Sequence, residues 1–329
     1  MSNTDVEVSF SDGMRPFWPP GLQNIHSPEF KSVEDWLLRG TYTWIASSPG
    51  LVELELEIGQ PGLTEALAGE ISRFSSASYE SLLDSEPSGP SSKALGWQIV
   101  RHYYAAFYSA HALLRVAGIS LFYLSPESVN ILNRLGGQYL GMSPQLSKGL
   151  YRVRRDDTSQ RVVRLEKISS GGGSHEDMWK DFLAFLLKLE ASIILMQGQM
   201  SSAMMAVHVS TQLRANLCKK GKSNGAWPSS IRNAVNYRHD LAVWYPYGQR
   251  RPFYGAISSK MVMWRPNEMQ GFDFSQTNNE LVSFAEICNV LSHILTAVLK
   301  DISSRSPVSR KCFVDRVPFK LLRERGVMN

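Results

Sequence analysis

The sequence predicts an all-α protein, and three observations support this fold class. Apolar residues recur at helical spacing in six or more segments after Leu63. Clusters of glycine, proline and serine separate these segments, as expected between helices. One short segment, LVELELEIG, alternates apolar and acidic residues with the period of a strand, but no second strand that would pair with it is evident.

The 329 residues are long enough for one large domain or two small ones, and three regions are predicted. Residues 1–62 are rich in proline, glycine and serine, and we expect an irregular N-terminal extension that wraps a larger body. Residues 63–303 carry the helical pattern and form the predicted domain. Residues 304–329 form a basic C-terminal tail.

Capping residues and breakers set the expected ends of the helices. Ser125 before a proline suits the start of one helix, and Ser174 with Asp177 approximates a capping box at the start of another. The second of these is expected to continue, with a weak point at Gly198, to about Lys219. The other expected helices cover TEALAGEISRFSSASYESLLD, Lys93 to about Val116, SSIRNAVNYRHDLAVWYPYG and NNELVSFAEICNVLSHILTAVLKDI.

Composition argues against several classes of protein. The three cysteines, Cys218, Cys288 and Cys312, lie far apart without metal-ligand spacing, which indicates a reducing compartment and no structural zinc. The longest apolar stretch, Phe182 to Met196, is interrupted by charges and falls short of the roughly 20 residues of a membrane span. No secretory signal and no glycine-rich phosphate loop is recognisable. We therefore expect a cytoplasmic protein that uses no metal or cofactor and has no membrane partner.

Basic residues concentrate in two runs, although the net charge is only +5. The run from Tyr151 to Lys167 contains Arg152, Arg154, Arg155, Arg161 and Arg164, and the C-terminal tail is similarly basic. Either run could contact the phosphates of a nucleic acid. A solvated surface is the more common meaning of such runs.

Arg232 and His239, in the stretch IRNAVNYRHD, carry the chemistry that the sequence predicts. On an α-helix, seven residues place both side chains on one face, about 10 Å apart along the axis. Arginine can donate two hydrogen bonds at once to phosphate oxygens, and histidine transfers protons near neutral pH. Cleavage of RNA through its 2'-hydroxyl needs both abilities and no metal. On spacing alone, such a pair is more often a surface or capping arrangement.

The same segment resembles the signature of a known superfamily. Arg232, Asn233 and His239 look like the R-polar-x(3–5)-H motif of the HEPN (higher eukaryotes and prokaryotes nucleotide-binding) superfamily, with a spacing at the long end of its range. The helix RHYYAAFYSAHALLRVAG, from Arg101 to Gly118, is similar to an early helix of that superfamily. The resemblance covers about residues 92–246 and leaves both ends of the chain unmatched.

This resemblance implies an HEPN-like helical bundle with additional N-terminal and C-terminal elements. It also implies a dimer with a composite site, in which Arg232 and His239 are the catalytic pair and Asn233 supports them. Many catalytic members are metal-independent ribonucleases of toxin–antitoxin, CRISPR and phage-defence systems. The implied partners are RNA, a second copy of the chain in a homodimer or larger oligomer, and an antitoxin or defence-complex protein.

Six further residues are predicted to bind the substrate, and each also has a structural explanation. Solvated positions, a half-buried packing or dimer face, and a packed helix end would account for them equally well. His175 and His208 are single histidines in helical segments and are expected to be structural. The six predicted binding residues are Asn236 in the motif, Arg101, Tyr104 and Tyr108 on the long helix before it, and Arg250 and Arg251 in the loop WYPYGQRRPFYG.

The predicted function is that of a metal-independent endoribonuclease, which cleaves RNA by 2'-hydroxyl transesterification in a bacterial toxin or anti-phage defence system. Two alternatives stay open. One is a non-catalytic HEPN-type subunit of a defence complex that binds RNA, a nucleotide or a partner protein. The other is a structural helical subunit whose motif stabilises a dimer.

Overall fold

The protein is an α+β structure, so the prediction of an all-α, HEPN-like bundle is wrong. A five-stranded antiparallel sheet accompanies the helices. The computed structural model describes residues 3–59, 61–86, 95–156, 159, 161–168, 173–196, 200–238, 241–244, 254–265, 274, 277–307 and 312–328.

The sheet joins two strands near the N-terminus to three from the middle of the chain. Its spatial order is β1-β2-β5-β4-β3, and every neighbouring pair is antiparallel. The strand predicted at LVELELEIG is confirmed, and its partners are β1 and β5. The strands are β1 (Tyr42–Ser48), β2 (Leu51–Leu56), β3 (Ile119–Leu124), β4 (Gly149–Arg155) and β5 (Val162–Lys167).

One face of the sheet is apolar and the other is charged. Along β4, Tyr151 and Val153 are buried, whereas the alternating arginines lie on the opposite face. Arginines of β4 and of the β5 region form ion pairs with carboxylates on neighbouring strands, after β4 and on a nearby helix. Much of the positive charge of the basic run is therefore neutralised within the fold. The ion pairs are Arg152 with Glu166 and Asp181, Arg154 with Glu166, Arg161 with Glu55, and Arg164 with Glu53 and Asp156.

Helices form most of the described chain. Ser125 caps α5 as predicted, because its hydroxyl accepts a hydrogen bond from the Ser128 amide. Ser174 is the first residue of α6 and makes no cap, so the predicted capping box is wrong. The helices are α1 (Asn3–Met14), α2 (Val33–Arg39), α3 (Gly62–Ser85), α4 (Gly96–Val116), α5 (Pro126–Leu140), α6 (Ser174–Leu195), α7 (Met200–Leu217), α8 (Trp227–Asn233), α9 (Tyr254–Met261), α10 (Glu280–Ser304), α11 (Phe313–Arg316) and α12 (Pro318–Glu324).

The main core forms around α10, which packs against α1 and α4. By length and composition α10 could cross a membrane, but 94% of its most apolar window is buried in the fold. The segments predicted as an irregular extension and a basic tail both contribute to this core, through Phe10 and Met14 of α1 and Phe313 of α11. A second cluster fills the space between the apolar face of the sheet and α2, α3 and α5.

A buried ion pair connects the helices to the sheet. Arg115 of α4 donates from Nε to Glu70 of α3 at 2.8 Å, and each side chain is 1% exposed. Glu70 also accepts hydrogen bonds from the Val33 amide and the Ser120 hydroxyl, while Arg115 donates to the Leu121 carbonyl. This network therefore joins α2, α3, α4 and β3.

Buried histidines make the fold sensitive to acid. Burial lowers the pKa of both His102 and His293 to about 4, against about 6.5 in an unfolded chain. At a pH between these two pKa values the histidines are protonated in the unfolded chain but not in the folded protein. The free energy of unfolding therefore decreases as the pH falls from about 6.5 towards 4.

We expect each of these histidines to contribute about 3 kcal/mol to this loss. Urea unfolding at a series of pH values measures it. The His102→Gln variant should show a smaller slope of unfolding free energy against pH. An unchanged slope in that variant would contradict the assignment to His102.

Candidate functional site

Arg232 lies at the edge of α8 against an aromatic ring of α4. Trp227, Ile231 and Val235 are buried and fix this helix on the body of the protein, which leaves Arg232 half-buried at the border. Its guanidinium carbon lies 5.4 Å from the centre of the Tyr103 ring, as in a cation–π contact. Arg232 Nε is buried without a hydrogen-bond partner, and no carboxylate pairs with Arg232 among the described residues. This cation is therefore available to an anionic ligand.

After α8 the backbone winds into a π-helix, Ala234–Arg238. Trp244 supports it by donating a hydrogen bond from Nε1 to the Val235 carbonyl at 2.8 Å. The Trp244 ring also packs on Gly96, where a Cβ atom would lie 2.5 Å from it. Short π-helical turns occur frequently at functional sites. The α-helical period that the prediction assumed after Arg232 is therefore interrupted at Ala234–Arg238.

The structure describes only part of the predicted site. Asn233 is exposed, and Asn236 is half-buried within the π-helix. Arg101 is exposed and donates a hydrogen bond to the Asp84 carbonyl at the end of α3. The predicted residues His239, Arg250 and Arg251 lie outside the described residues.

A histidine that was expected to be structural lies beside Arg232. His175, in the first turn of α6, is half-buried, and its Nδ1 is 2.8 Å from the Tyr103 hydroxyl. That hydroxyl is also 2.9 Å from the Ser229 hydroxyl and 3.4 Å from Trp179 Nε1. His175 stacks on Phe107, with 4.3 Å between ring centres. Tyr103 therefore connects His175 to the helix that carries Arg232.

The surroundings keep His175 uncharged at neutral pH. Burial lowers the pKa of His175 to about 4, and the positive charge of Arg232 lowers it further in the same direction. Burial also raises the pKa of the Tyr103 hydroxyl, so this group keeps its proton. A neutral imidazole beside a permanent cation is able to accept a proton once an anion has bound.

Next to this pair, three half-buried aromatic side chains form a continuous strip that we call the aromatic surface. It consists of Tyr104 and Tyr108 of α4 and Phe74 of α3. Tyr104 lies 6.3 Å from His175 and 5.8 Å from Tyr108 between ring centres, and Tyr108 lies 6.0 Å from Phe74. The exposed Arg73 has its guanidinium carbon 4.9 Å from the Phe74 ring centre.

Two further side chains of α4, His111 and Arg115, lie below this surface. His111 is buried and stacks on Phe74, with 4.7 Å between ring centres. Arg115 is committed to its ion pair with Glu70 and lies under the same phenylalanine. The three residues of α4 that are predicted to bind the substrate, Arg101, Tyr104 and Tyr108, are by contrast at least partly exposed.

In chemical terms the site combines a cation that has no carboxylate partner among the described residues, a neutral histidine and flat aromatic rings. Cationic and aromatic side chains of this kind bind phosphates and stack on bases of single-stranded nucleic acids. The described residues contain no cluster of three or more His, Cys, Asp or Glu side chains that could hold a metal ion.

The sequence did not point to His175, Tyr103 or Phe74 as members of this site. Tyr103 is not part of the motif, and His175 lies 57 positions before Arg232 in the chain (232 − 175). The available signal was a histidine in the first helical turn after GGGS, which by itself says nothing about its neighbours. No protein-family model, no curated protein and no solved structure matches this chain.

Proposed function

We propose that this protein is an endoribonuclease that cleaves single-stranded RNA by 2'-hydroxyl transesterification, without a metal, at the site around Arg232. The observation that carries the proposal is that Arg232, with no carboxylate partner in the described chain, shares Tyr103 with a half-buried neutral histidine. A guanidinium stabilises the negative charge that develops on the phosphate, and a histidine moves protons. His239 stays the second predicted proton-transfer group.

The aromatic surface supports single-stranded RNA as the substrate. Unpaired bases expose their faces and can stack on Tyr104 and Tyr108, whereas bases within a duplex cannot. Arg73 at one end of the surface and Arg232 beside the other would contact phosphates of the same strand. The predicted homodimer and the toxin or defence setting remain predictions.

The proposal is tested with the purified full chain and random-sequence single-stranded RNA in the presence of EDTA. We expect cleavage that leaves a 2',3'-cyclic phosphate on one product and a 5'-hydroxyl on the other. If RNA is not cut, or if both Arg232→Ala and His239→Ala still cut it at the wild-type rate, the proposal is wrong. Salt-dependent binding without cleavage would favour the alternative function, a non-catalytic RNA-binding subunit, to which the aromatic surface is equally suited.

Removing a stacking ring should weaken RNA binding without removing charge. For Tyr104→Ala and for Tyr108→Ala we expect the binding free energy to weaken by about 1–3 kcal/mol each, which raises Kd by about 5- to 150-fold. Binding of a 2'-deoxy oligonucleotide, which lacks the attacking hydroxyl, measures this effect without cleavage. Tyr139→Ala is the matched control, since Tyr139 is 62% exposed on α5. Equal affinities of all three variants would exclude the aromatic surface from RNA binding.

A further inference from the structure

We propose that His175 accepts the 2'-hydroxyl proton in this reaction and that a substrate phosphate held by Arg232 activates it. This inference rests on the proposed ribonuclease function. It adds a catalytic residue from a part of the chain remote from the Arg232–His239 segment.

His175 and Arg232 both contact the same tyrosine, Tyr103. The His175 and Tyr103 rings lie 5.9 Å apart between centres, and the Arg232 guanidinium carbon lies 5.4 Å from the centre of the same Tyr103 ring. Phe107 supports the imidazole from below by stacking on it. These contacts hold the histidine in one orientation, which proton transfer requires.

The hydrogen bonds of Tyr103 leave Nε2 of His175 for the substrate. A tyrosine hydroxyl donates once and accepts twice, and Trp179 Nε1 can only donate to it. If the Tyr103 hydroxyl donates to Ser229, His175 donates from Nδ1 to Tyr103, and Nε2 carries a free lone pair. If Ser229 instead donates to Tyr103, the Tyr103 hydroxyl donates to His175 Nδ1, and Nε2 carries the proton. The orientations of the two hydroxyl groups therefore select which tautomer of His175 is favoured, and only the tautomer with its proton on Nδ1 can accept a proton at Nε2.

A bound phosphate would make His175 a better base. In the free protein burial is the larger cause of its lowered pKa, and the charge of Arg232 is the second. A phosphate on Arg232 offsets that charge and brings its own negative charge, so the pKa of His175 rises towards neutral, where a general base is most effective. Among the described residues, six titratable or charged groups face or adjoin His175. They are Tyr103, Tyr104 and His111 of α4, Arg232 of α8, and Glu176 and Asp177 of α6.

The chemical step balances with one water molecule that relays a proton and is regenerated. His175 Nε2 takes the proton of the 2'-hydroxyl while the 2'-oxygen forms a bond to phosphorus. The bond between phosphorus and the 5'-oxygen breaks, and the leaving oxygen takes a proton from water. The imidazolium then returns its proton to the hydroxide that remains. The products are a 2',3'-cyclic phosphate and a 5'-hydroxyl.

Single-turnover cleavage of random-sequence single-stranded RNA tests the role of His175. We expect His175→Gln to be about 100-fold slower than the wild type, because a positioned general base contributes about 10²–10⁴-fold. The matched control is His208→Gln, since His208 is exposed on α7, and it should cleave at the wild-type rate. Added imidazole should partly restore cleavage by His175→Gly, and the acidic limb of the pH–rate profile should disappear in His175→Gln.

A second measurement follows the His175 ring itself by NMR titration. In the free protein its pKa should be about 4. Arg232→Gln should raise this pKa, and a bound 2'-deoxy oligonucleotide should raise it in the wild type but much less in Arg232→Gln. An oligonucleotide that binds without moving the pKa of His175 would overturn the activation by phosphate.

The outcomes separate this inference from the proposed function. If the wild type cleaves RNA and His175→Gln cleaves as fast as His208→Gln, His175 is not the base, while the ribonuclease function stands. A structural role is shown if His175→Gln is slow but keeps the shape of the wild-type pH–rate profile, and if imidazole does not restore cleavage by His175→Gly. The inference is then wrong. If the wild type cuts no RNA, the proposed function fails and the inference fails with it.

Discussion

Replacing Glu70 by glutamine is expected to destabilise the protein by about 3–5 kcal/mol, because it leaves the Arg115 cation buried without its counterion. The two side chains have about the same volume, so packing changes little. What changes is charge and hydrogen bonding: the glutamine amide would turn a donor towards Arg115, Ser120 or the Val33 amide. Urea unfolding should show a lower midpoint with an unchanged dependence of unfolding free energy on urea concentration.

A surface ion pair provides the matched control for this variant. Glu53 pairs with Arg164 at 3.0 Å, but both side chains are about one-third exposed, at 30% and 35%. Glu53→Gln should therefore cost less than about 1 kcal/mol. The double variant Glu70→Leu with Arg115→Met should be more stable than Glu70→Gln, because no buried charge is left alone. A similar loss in Glu70→Gln and Glu53→Gln would show that the buried network does not stabilise the fold.

This network also supports the aromatic surface. The Arg115 guanidinium carbon lies 4.7 Å from the centre of the Phe74 ring, and its NH1 lies 2.7 Å from Nδ1 of His111, which stacks on the same ring. Loss of Glu70 would free Arg115 to move and so disturb Phe74 from below. We infer that the position of Phe74 in the aromatic surface depends on this buried ion pair.

The sheet was not predicted from the sequence, because arginines alternate with apolar residues in a strand such as β4 and the two-residue alternation was interpreted as a basic run. In β4, Tyr151 and Val153 alternate with Arg152 and Arg154, which is the pattern of a half-buried strand. The charges drew attention to phosphate binding instead. Pairing explains why arginines are tolerated in the sheet. Glu166 of β5 lies opposite Arg152 of β4, and Glu53 of β2 lies opposite Arg164 of β5. The sequence does not reveal which strands are neighbours. Long apolar periods were easier to interpret, and the predicted helices from Lys93 and at NNELVSFAEICNVLSHILTAVLKDI correspond closely to α4 and α10.

For the candidate site, the sequence could identify types of residue but not their neighbours. Arg232 was selected from its chemistry and its motif, and Tyr104 and Tyr108 from their position on one face of a helix. His175 comes close only because α6 and α8 both pack against α4, which is a tertiary arrangement. The π-helix after α8 adds a second difficulty, since local sequence gives no warning that the helical period changes at Ala234.

The largest effect on activity is expected from Arg232→Gln, which keeps a polar side chain and removes the cation. We expect cleavage of single-stranded RNA to become about 100- to 1000-fold slower under single-turnover conditions, as when one charge-stabilising group is lost from other active sites. Binding of a 2'-deoxy oligonucleotide should weaken much less, because Arg73 and the aromatic surface remain. Arg232→Lys should recover only part of the rate, since an ammonium group cannot fork onto two phosphate oxygens.

Arg238→Gln is the control for net charge, because Arg238 belongs to the same segment, is exposed and lies at the end of the π-helix. Both variants lose one positive charge, so a general electrostatic effect would slow them equally and would vanish at high salt. A specific role requires that Arg232→Gln be slower than Arg238→Gln by at least about 50-fold at every salt concentration, within the range that one stabilising group contributes. Equal rates would remove Arg232 from the catalytic site. The function would then be reduced to RNA binding by the aromatic surface.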